Sequence, residues 1–219
     1  MTKTIQSYDG VLFDFDGTLA DSYAAIACSV NHVRAQRGMP PMTIDEVKQF
    51  VGRGPHYLLT HTVPGGALED NLACYRVHHP EVMLKMTELL PGAAALIRLL
   101  HERGKKIGLC SNKPSGFSRQ LLAHFSLANC FDVVLGSDDV PNPKPAPDMV
   151  LRAIDKLMMT KSRVIYIGDM VVDIQTARAA GVGVWAVSTG SESRHALVDA
   201  KPDRLLGSLQ ELVAEIGPV

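Results

Sequence analysis

Two aspartates near the N-terminus stand two residues apart at the end of an apolar run. Asp14 and Asp16 follow Val11-Leu12-Phe13 and precede Gly17. Alternate residues of a strand share a face, so both carboxylates start from the same side, and Gly17 allows a sharp turn. Carboxylates this close repel each other unless a cation lies between them. The pattern indicates a hard-cation site such as one for Mg²⁺, with a nucleophile beside an acid; ordinary turn chemistry is the alternative.

Two loops later in the chain carry residues suited to binding an anion. Ser111 and Asn112 follow the apolar run Ile107–Leu109. A hydroxyl and backbone N–H groups there could hold an anion, although a plain helix cap is the alternative. Lys144 lies between two prolines on a stiffened backbone, where a fixed ammonium would balance phosphate charge. The alternative for Lys144 is an exposed loop lysine.

A second pair of acids lies in the last third of the chain. Asp169 ends the apolar run Ile165–Ile167, and Asp173 follows one helical turn later. That spacing can aim both carboxylates at one point. The alternative is a pair of acids that merely favours the start of a helix.

The sequence around these groups predicts the elements that position them. Short apolar runs bounded by Gly, Asp, Ser or Asn are typical of strands buried on both faces of a parallel sheet. The predicted strands are Val11–Phe13, Ile107–Leu109, Val133–Leu135, Val164–Ile167 and Val182–Val187. Helical patterns alternate with them at Ala93–Arg103, Ser115–Phe125, Pro147–Leu157 and Ile174–Ala180, and Ser208–Ile216 closes the chain. The alternation predicts an open α/β sheet with right-handed crossovers.

One segment, from residue 19 to residue 88, breaks this alternation. It shows no convincing strand and predicts helices over Asp21–Arg37, Ile44–Val51, Pro55–His61 and Leu68–Met86. We therefore predict a core domain of residues 1–18 and 89–219 and a helical insertion of residues 19–88, well placed to cover the site. Within the insertion we expect His78 and His79 at the surface, whereas Trp185 belongs to the core.

The composition of the 219 residues limits the range of functions. A hydrophobic fraction of 46% with 21% charged residues is typical of a soluble globular protein. The formal net charge of −1 and the lack of a basic run argue against nucleic acid or an anionic membrane as a partner. No segment is typical of a signal peptide or a membrane span, and no cysteines form a C-x-x-C pair, so we expect a cytoplasmic protein with reduced thiols.

The polar motifs, in this order, resemble those of the haloacid dehalogenase (HAD) superfamily of hydrolases. The matching residues are Asp14–Thr18, Ser111, Lys144, and Asp169 with Asp173. The resemblance covers nearly the whole chain, including the insertion, which is similar to the family's C1 cap. It implies a Rossmann-like core, an open parallel sheet with helices on both faces, plus an inserted all-helical cap.

The resemblance also implies a role for each position. Asp14 would be the nucleophile that becomes phosphorylated, and Asp16 would protonate the leaving oxygen and then activate water. Lys144 would steady Asp14 and the transferring group. Mg²⁺ would be bound by Asp14, the backbone carbonyl of Asp16, and Asp169, with Asp173 supporting it directly or through water. The phosphate oxygens would be bound by Ser111, Asn112, Gly17 and Thr18.

The first motif narrows the choice within the superfamily. Asp16 argues against the halide-releasing and phosphonate-cleaving relatives, and the chain most resembles the phosphoglycolate phosphatase group. We expect a Mg²⁺-dependent phosphatase of a small phosphate monoester such as 2-phosphoglycolate, acting as a monomer or homodimer. Arg53, flanked by glycines in the cap, is the candidate for contact with a substrate carboxylate or second phosphate, with a surface arginine as the alternative.

Two other functions stay open at this point. A phosphomutase of the β-phosphoglucomutase type would share the intermediate, but its phosphoaspartate must outlive exchange of the bound intermediate. A phosphorylation-dependent binding module would also have an acidic pocket and a lysine on an α/β sheet. Such a module lacks a helical insertion and needs no acid at Asp16.

Overall fold

Two sheets organise the part of the chain that the computed structural model describes, residues 4–217. The strands are β1 (Gly10–Phe13), β2 (Ala20–Asp21), β3 (Glu88–Leu89), β4 (Lys106–Cys110), β5 (Val133–Leu135), β6 (Val164–Gly168), β7 (Gly183–Val187) and β8 (Arg204–Leu206). Six of them form a parallel sheet in the order β5-β4-β1-β6-β7-β8, and β2 pairs with β3 in antiparallel orientation.

Strand β1 lies where the strand order of the large sheet reverses. It pairs with β4 on one side and with β6 on the other, and Phe13 lies opposite both Leu109 and Ile167. The residues that follow these three strands therefore meet at one edge, the carboxyl edge of the sheet. In open α/β sheets this is the position where ligand sites form.

Helices cover both faces of the large sheet. The helices are α1 (Tyr23–Gln36), α2 (Ile44–Lys48), α3 (Gly54–Thr62), α4 (Leu68–Met86), α5 (Ala93–Glu102), α6 (Ser115–His124), α7 (Asp148–Lys156), α8 (Val171–Ala180), α9 (Arg194–Asp199) and α10 (Gln210–Ile216). Because side chains alternate along a strand, Val11 and Phe13 pack with α5, α6 and α10, while Leu12 packs with α7, α8 and α9. This arrangement confirms the predicted fold class.

The helices α1 to α4 have an apolar core of their own, which includes Val30, Leu59 and Leu72. The β2–β3 pair lies at the two ends of this segment, so the prediction that the insertion contains no strand was wrong there. Each strand has only two residues, too few to show a period. Among the described residues, no helix combines the length and apolarity needed to cross a membrane.

Three other predictions differ from the structure. Strand β8 was missed because only Leu206 of its residues is fully buried. Helix α8 begins at Val171 rather than Ile174 because the Asp173 carboxylate accepts hydrogen bonds from the N–H groups of Asp169 and Met170. His79 was expected at the surface and is fully buried, whereas Trp185 lies in the core as expected.

His79 is buried because α4 packs between α1 and α6. Its ring stacks on Tyr75 at 4.8 Å and meets the edge of Phe117 at 5.2 Å. Its Nδ1 lies 2.9 Å from the hydroxyl of Ser29. The ring thus forms part of the contact between the insertion and α6, and a histidine doublet in a polar-looking segment gave no sign of this.

Candidate active site

Asp14 follows β1, and its carboxylate forms a buried ion pair with Lys144. Asp14 is 2% exposed, and its Oδ1 lies 3.0 Å from Lys144 Nζ. The same ammonium lies 2.6 Å from Asp173 Oδ1 and 3.1 Å from the hydroxyl of Tyr166. The ammonium therefore donates hydrogen bonds to Asp173 and Tyr166 and forms an ion pair with Asp14. Lys144 is held rigidly beside Asp14 rather than exposed on its loop.

The surroundings of Lys144 keep it charged. Burial alone would lower its pKa, but the charges of Asp14 and Asp173 outweigh burial and raise the pKa above its ordinary value. Tyr166, whose role the sequence did not reveal, also donates its hydroxyl to the carbonyl of Cys110 at 2.7 Å. A tyrosine inside an otherwise aliphatic strand was the available signal, because a buried phenol needs a hydrogen-bond partner.

Asp169 follows β6, and its two carboxylate oxygens have different surroundings. Oδ1 accepts a hydrogen bond of 2.8 Å from the hydroxyl of Thr18, while Oδ2 is buried without a hydrogen-bond partner among residues 4–217. The space beside Oδ2 depends on two glycines, since a Cβ would lie 2.4 Å from it at Gly17 and 1.6 Å at Gly190. Gly17 also has a φ of 87°, a conformation that favours glycine.

The third member of the acidic cluster, Asp173, has both carboxylate oxygens engaged. Its Oδ1 accepts from Lys144, and its Oδ2 accepts from the backbone of Asp169 and Met170 at 3.1 and 3.0 Å. Burial raises the pKa of Asp173, and the ammonium of Lys144 opposes this rise. In this geometry Asp173 orients the lysine and the loop that carries Asp169.

The carboxylates of Asp14, Asp169 and Asp173 fit a divalent metal ion. One oxygen from each lies within 4.8 Å of the others, and all three residues are buried. With Lys144 as the one cation in contact with this described cluster, three ionised carboxylates leave two negative charges unbalanced. Burial, together with the charges of Asp173 and Asp14, raises the pKa of Asp169 well above its ordinary range. A hard divalent cation would remove that excess, and the unpartnered Oδ2 of Asp169 is a suitable ligand.

The second aspartate of the first motif lies apart from this cluster. Asp16 is 8% exposed; its Oδ1 accepts from the hydroxyl of Ser22, and its Oδ2 lies 3.2 Å from Lys113 Nζ. Asp14 and Asp16 therefore have separate cationic partners, although they come from the same strand end. Sequence reasoning missed Lys113, even though it follows Ser111 and Asn112 directly.

Asp14 and Asp16 open into a pocket between the sheet edge and the insertion. The pocket has about 440 Å³ of empty space, including its opening to solvent. Its polar wall comes from the loop after β4, with Ser111, Asn112 and Lys113. The insertion supplies an apolar wall made of Ile26, Val51, Gly52, Gly54, Pro55, Leu58 and Tyr75. The site therefore combines charged groups on one side with an apolar cover on the other.

Three residues predicted to bind phosphate make hydrogen bonds to other groups of the protein, and their contact with phosphate stays a prediction. The side chain of Asn112 donates to the carbonyls of Lys144 at 3.1 Å and Gly52 at 3.0 Å, and it accepts from the N–H of Lys144 at 3.0 Å. The hydroxyl of Thr18 is bonded to Asp169, and the N–H of Gly17 donates to the carbonyl of Ala20 at 2.8 Å. Ser111 and Asn112 both line the pocket, whereas Thr18 and Gly17 are not among its lining residues.

The structure does not bring Arg53 into this pocket. Arg53 is exposed, and its guanidinium lies over the ring of Tyr57, 5.0 Å from the centroid. With Arg76 it borders a neighbouring groove of the insertion, which shares Gly54 and Phe117 with the pocket. Its predicted contact with a substrate anion stays a prediction for this outer groove.

Comparisons with known proteins assign the chain to a family. A family model for haloacid dehalogenase-like hydrolases matches residues 11–187. The chain belongs to this family, and it is therefore an enzyme of the hydrolase class. The resemblance that the motifs indicated is confirmed.

Two curated relatives and one solved structure resemble the chain over most of its length. A phosphoglycolate phosphatase of Cereibacter sphaeroides (strain ATCC 17029 / ATH 2.4.9) is 38% identical over 200 residues, covering 88% of this chain and 90% of the relative. A phosphoglycolate phosphatase of Rhodobacter capsulatus is 36% identical over 178 residues, covering 78% of this chain and 80% of the relative. The crystal structure of a haloacid dehalogenase-like hydrolase from Bacteroides fragilis has a TM-score of 0.88 at 31% identity, covering 94% of this chain and 99% of that one.

Proposed function

We propose that the protein is a Mg²⁺-dependent phosphatase that hydrolyses a small phosphate monoester, 2-phosphoglycolate, through a phosphoaspartate on Asp14. The observation that carries the proposal is one covered pocket onto which both Asp14 and Asp16 open, with Ser111 in its wall. The names of the relatives support the choice of substrate.

The first step transfers the phosphoryl group to Asp14. A carboxylate oxygen of Asp14 attacks phosphorus as the bond to the ester oxygen breaks, and Asp16 gives its proton to the leaving oxygen. The attack on a phosphate dianion is repulsive, and the ammonium of Lys144, 3.0 Å from Asp14, offsets part of that repulsion. Asp14 and Asp169 would bind Mg²⁺, which when bound neutralises phosphate charge.

The second step releases phosphate. Asp16, now ionised, takes a proton from a water molecule that attacks phosphorus, and Asp14 leaves as a carboxylate. The apolar wall formed by Ile26, Leu58 and Tyr75 limits the water that reaches the phosphoaspartate. Phosphoryl transfer depends mainly on placement and charge neutralisation, and the ammonium of Lys144 beside Asp14 contributes to both.

Phosphate release tests the proposal. We expect the wild-type protein with Mg²⁺ to turn over 2-phosphoglycolate and, more slowly, p-nitrophenyl phosphate, and EDTA to stop both reactions. Asp14→Asn should lose nearly all turnover while its circular dichroism stays unchanged, because the amide is a poor nucleophile. Asp70→Asn, which changes an exposed acid of α4, is the matched control and should keep full activity. Near-normal phosphate release by Asp14→Asn would refute the nucleophile assignment.

Assays of the same kind distinguish a phosphatase from a phosphorylation-dependent binding module and from a phosphomutase. Repeated metal-dependent turnover of p-nitrophenyl phosphate would exclude a phosphorylation-dependent binding module, which stops after one transfer. An isomerised sugar phosphate formed in excess over free phosphate would favour the phosphomutase.

A further inference from the structure

The proposed reaction leaves one buried cation of the pocket without a role. Lys113 lies between β4 and α6, lines the same pocket as Asp14 and Asp16, and is 6% exposed. Its one ion-pair partner among residues 4–217 is Asp16, whose Oδ2 lies 3.2 Å from the ammonium. An ammonium carries three donors, so two of them are free to bind another group.

The other cations near the site are not available to bind a further group inside this pocket. Lys144 already directs its donors to Asp14, Asp173 and Tyr166. The exposed Arg53 borders the neighbouring groove and stacks on Tyr57. Lys113 is therefore the cation within the described pocket that has donors to spare.

The wall opposite Lys113 offers little competition for an anion. The insertion lines the pocket with Ile26, Val51 and Leu58, and the hydroxyl of Tyr75 is the polar side-chain group it adds. A second anionic group on a substrate would be poorly solvated against that wall. An ion pair with Lys113 would compensate for the lost water.

We propose that Lys113 recognises the carboxylate of a short 2-phospho-carboxylic acid, an assignment that rests on the proposed phosphatase function. Asp16 must approach the leaving oxygen to within about 3 Å, so the ammonium of Lys113 lies roughly 6 Å or less from that oxygen. A carboxylate attached one carbon from the ester oxygen fits within this reach. The substrate carboxylate joins or replaces Asp16 as the partner of the ammonium, and Lys113 thereby determines specificity.

A pair of substrates tests this assignment. 2-Phosphoglycolate and 2-hydroxyethyl phosphate have the same two-carbon skeleton, but the second has a neutral hydroxymethyl group in place of the carboxylate. We expect the wild-type protein to have a kcat/KM at least about tenfold higher for 2-phosphoglycolate. Lys113→Met should reduce this ratio by about tenfold, equivalent to about 1.4 kcal/mol, because the apolar side chain cannot pair with a carboxylate. Lys85→Met, which changes an exposed lysine of α4, is the matched control and should keep the wild-type ratio. Arg53→Met tests the competing assignment, in which the arginine of the outer groove recognises the carboxylate.

A binding experiment covers the case in which Lys113→Met folds poorly because Asp16 is left unpaired. The Asp16→Asn variant and the Asp16→Asn/Lys113→Met variant differ only in the cation, and neither has a carboxylate at position 16. Calorimetric titration with both esters in the presence of Mg²⁺ should show the preference for 2-phosphoglycolate in the first variant. The preference in the second should be about tenfold smaller.

The outcomes are distinct. An unchanged ratio after removal of Lys113, or a ratio that falls only in Arg53→Met, would overturn the assignment. Equal hydrolysis of both esters by the wild-type protein would overturn it as well, while leaving the phosphatase function intact. Release of phosphate from neither ester would instead refute the proposed function, and this inference with it.

Discussion

The side chain of Asn112 holds the loop that carries the lysine beside Asp14. It exchanges two hydrogen bonds with the backbone of Lys144, at 3.0 and 3.1 Å, and donates a third to the carbonyl of Gly52 in the insertion. Asn112→Ala removes all three bonds. Because Lys144 is 4% exposed, water cannot readily replace the two bonds to its backbone.

The expected loss of stability follows from the groups left without partners. A buried N–H or carbonyl without a hydrogen bond costs about 1–3 kcal/mol, so the two groups of Lys144 together cost about 2–6 kcal/mol. The carbonyl of Gly52 lies at the rim of the pocket and is partly exposed, so water there limits its contribution. We also expect kcat to fall on the order of 10- to 100-fold, because a lysine displaced by about 1 Å stabilises the reacting carboxylate less well.

Urea unfolding of the metal-free protein, with EDTA present in every sample, measures the free energy of unfolding of the wild type and of Asn112→Ala. At an m-value of about 2 kcal/mol/M, the midpoint should shift downward by about 1–3 M. Asn142→Ala, in the loop that carries Lys144, is the matched control, because the side chain of Asn142 makes an exposed hydrogen bond to Asp148. Its free energy of unfolding should stay within about 0.5 kcal/mol of the wild-type value. A midpoint shift for Asn112→Ala no larger than that of Asn142→Ala would show that these bonds do not hold the loop.

Two further predictions concern a glycine and a buried histidine. In Gly190→Ala a Cβ would lie 1.6 Å from Asp169 Oδ2, so Mg²⁺ affinity measured by calorimetry should fall at least about tenfold. Gly116→Ala, whose Cβ would have no atom within 4 Å, is the control and should bind Mg²⁺ like the wild type. Equal affinities of the two variants would contradict the role of Asp169 as a metal ligand. Burial and the charge of Lys113 lower the pKa of His79 from 6.5 to about 2. The unfolded chain then binds a proton that the folded chain does not, so folding stability is lost as the pH falls from about 6.5 toward 2, at about 1.4 kcal/mol per pH unit. His79→Phe should lose less stability than wild type between pH 7 and pH 5 in urea unfolding, and parallel losses would show that His79 does not titrate this way.

The arrangement at the sheet edge could be predicted because it depends on short-range patterns. Asp14, Ser111 and Asp169 each come directly after a run of apolar residues, and such runs form strands buried on both faces. Once the strands are parallel and adjacent, the polar residues that follow them must meet at one edge. The placement of these residues therefore required no knowledge of side-chain packing, although their chemical roles stay predictions.

Which side chains are buried around the site depends on contacts between distant parts of the chain, and local sequence patterns do not reveal such contacts. Lys113 and Arg53 are both basic residues near glycine or polar neighbours, yet one is buried against Asp16 and the other lies over Tyr57 in solvent. Neighbouring residues in the sequence do not show which of the two is buried. The packing of the insertion on α6 buries His79, whose sequence context is no more apolar than that of an exposed helix.

The loop after β4 connects the acidic site with the insertion, so a substitution in this loop affects both. Ser111 faces the pocket, Asn112 bonds to Gly52 in the insertion, and farther along, in α6, Phe117 contacts the ring of His79. A substitution that moves this loop changes both the polar wall of the pocket, where we propose that phosphate binds, and the contact with the insertion that covers it. Lower activity in Asn112→Ala alone would therefore not show that Asn112 touches phosphate. A fall in kcat with a nearly unchanged KM would assign its effect to the position of Lys144, since a lost substrate contact would raise KM.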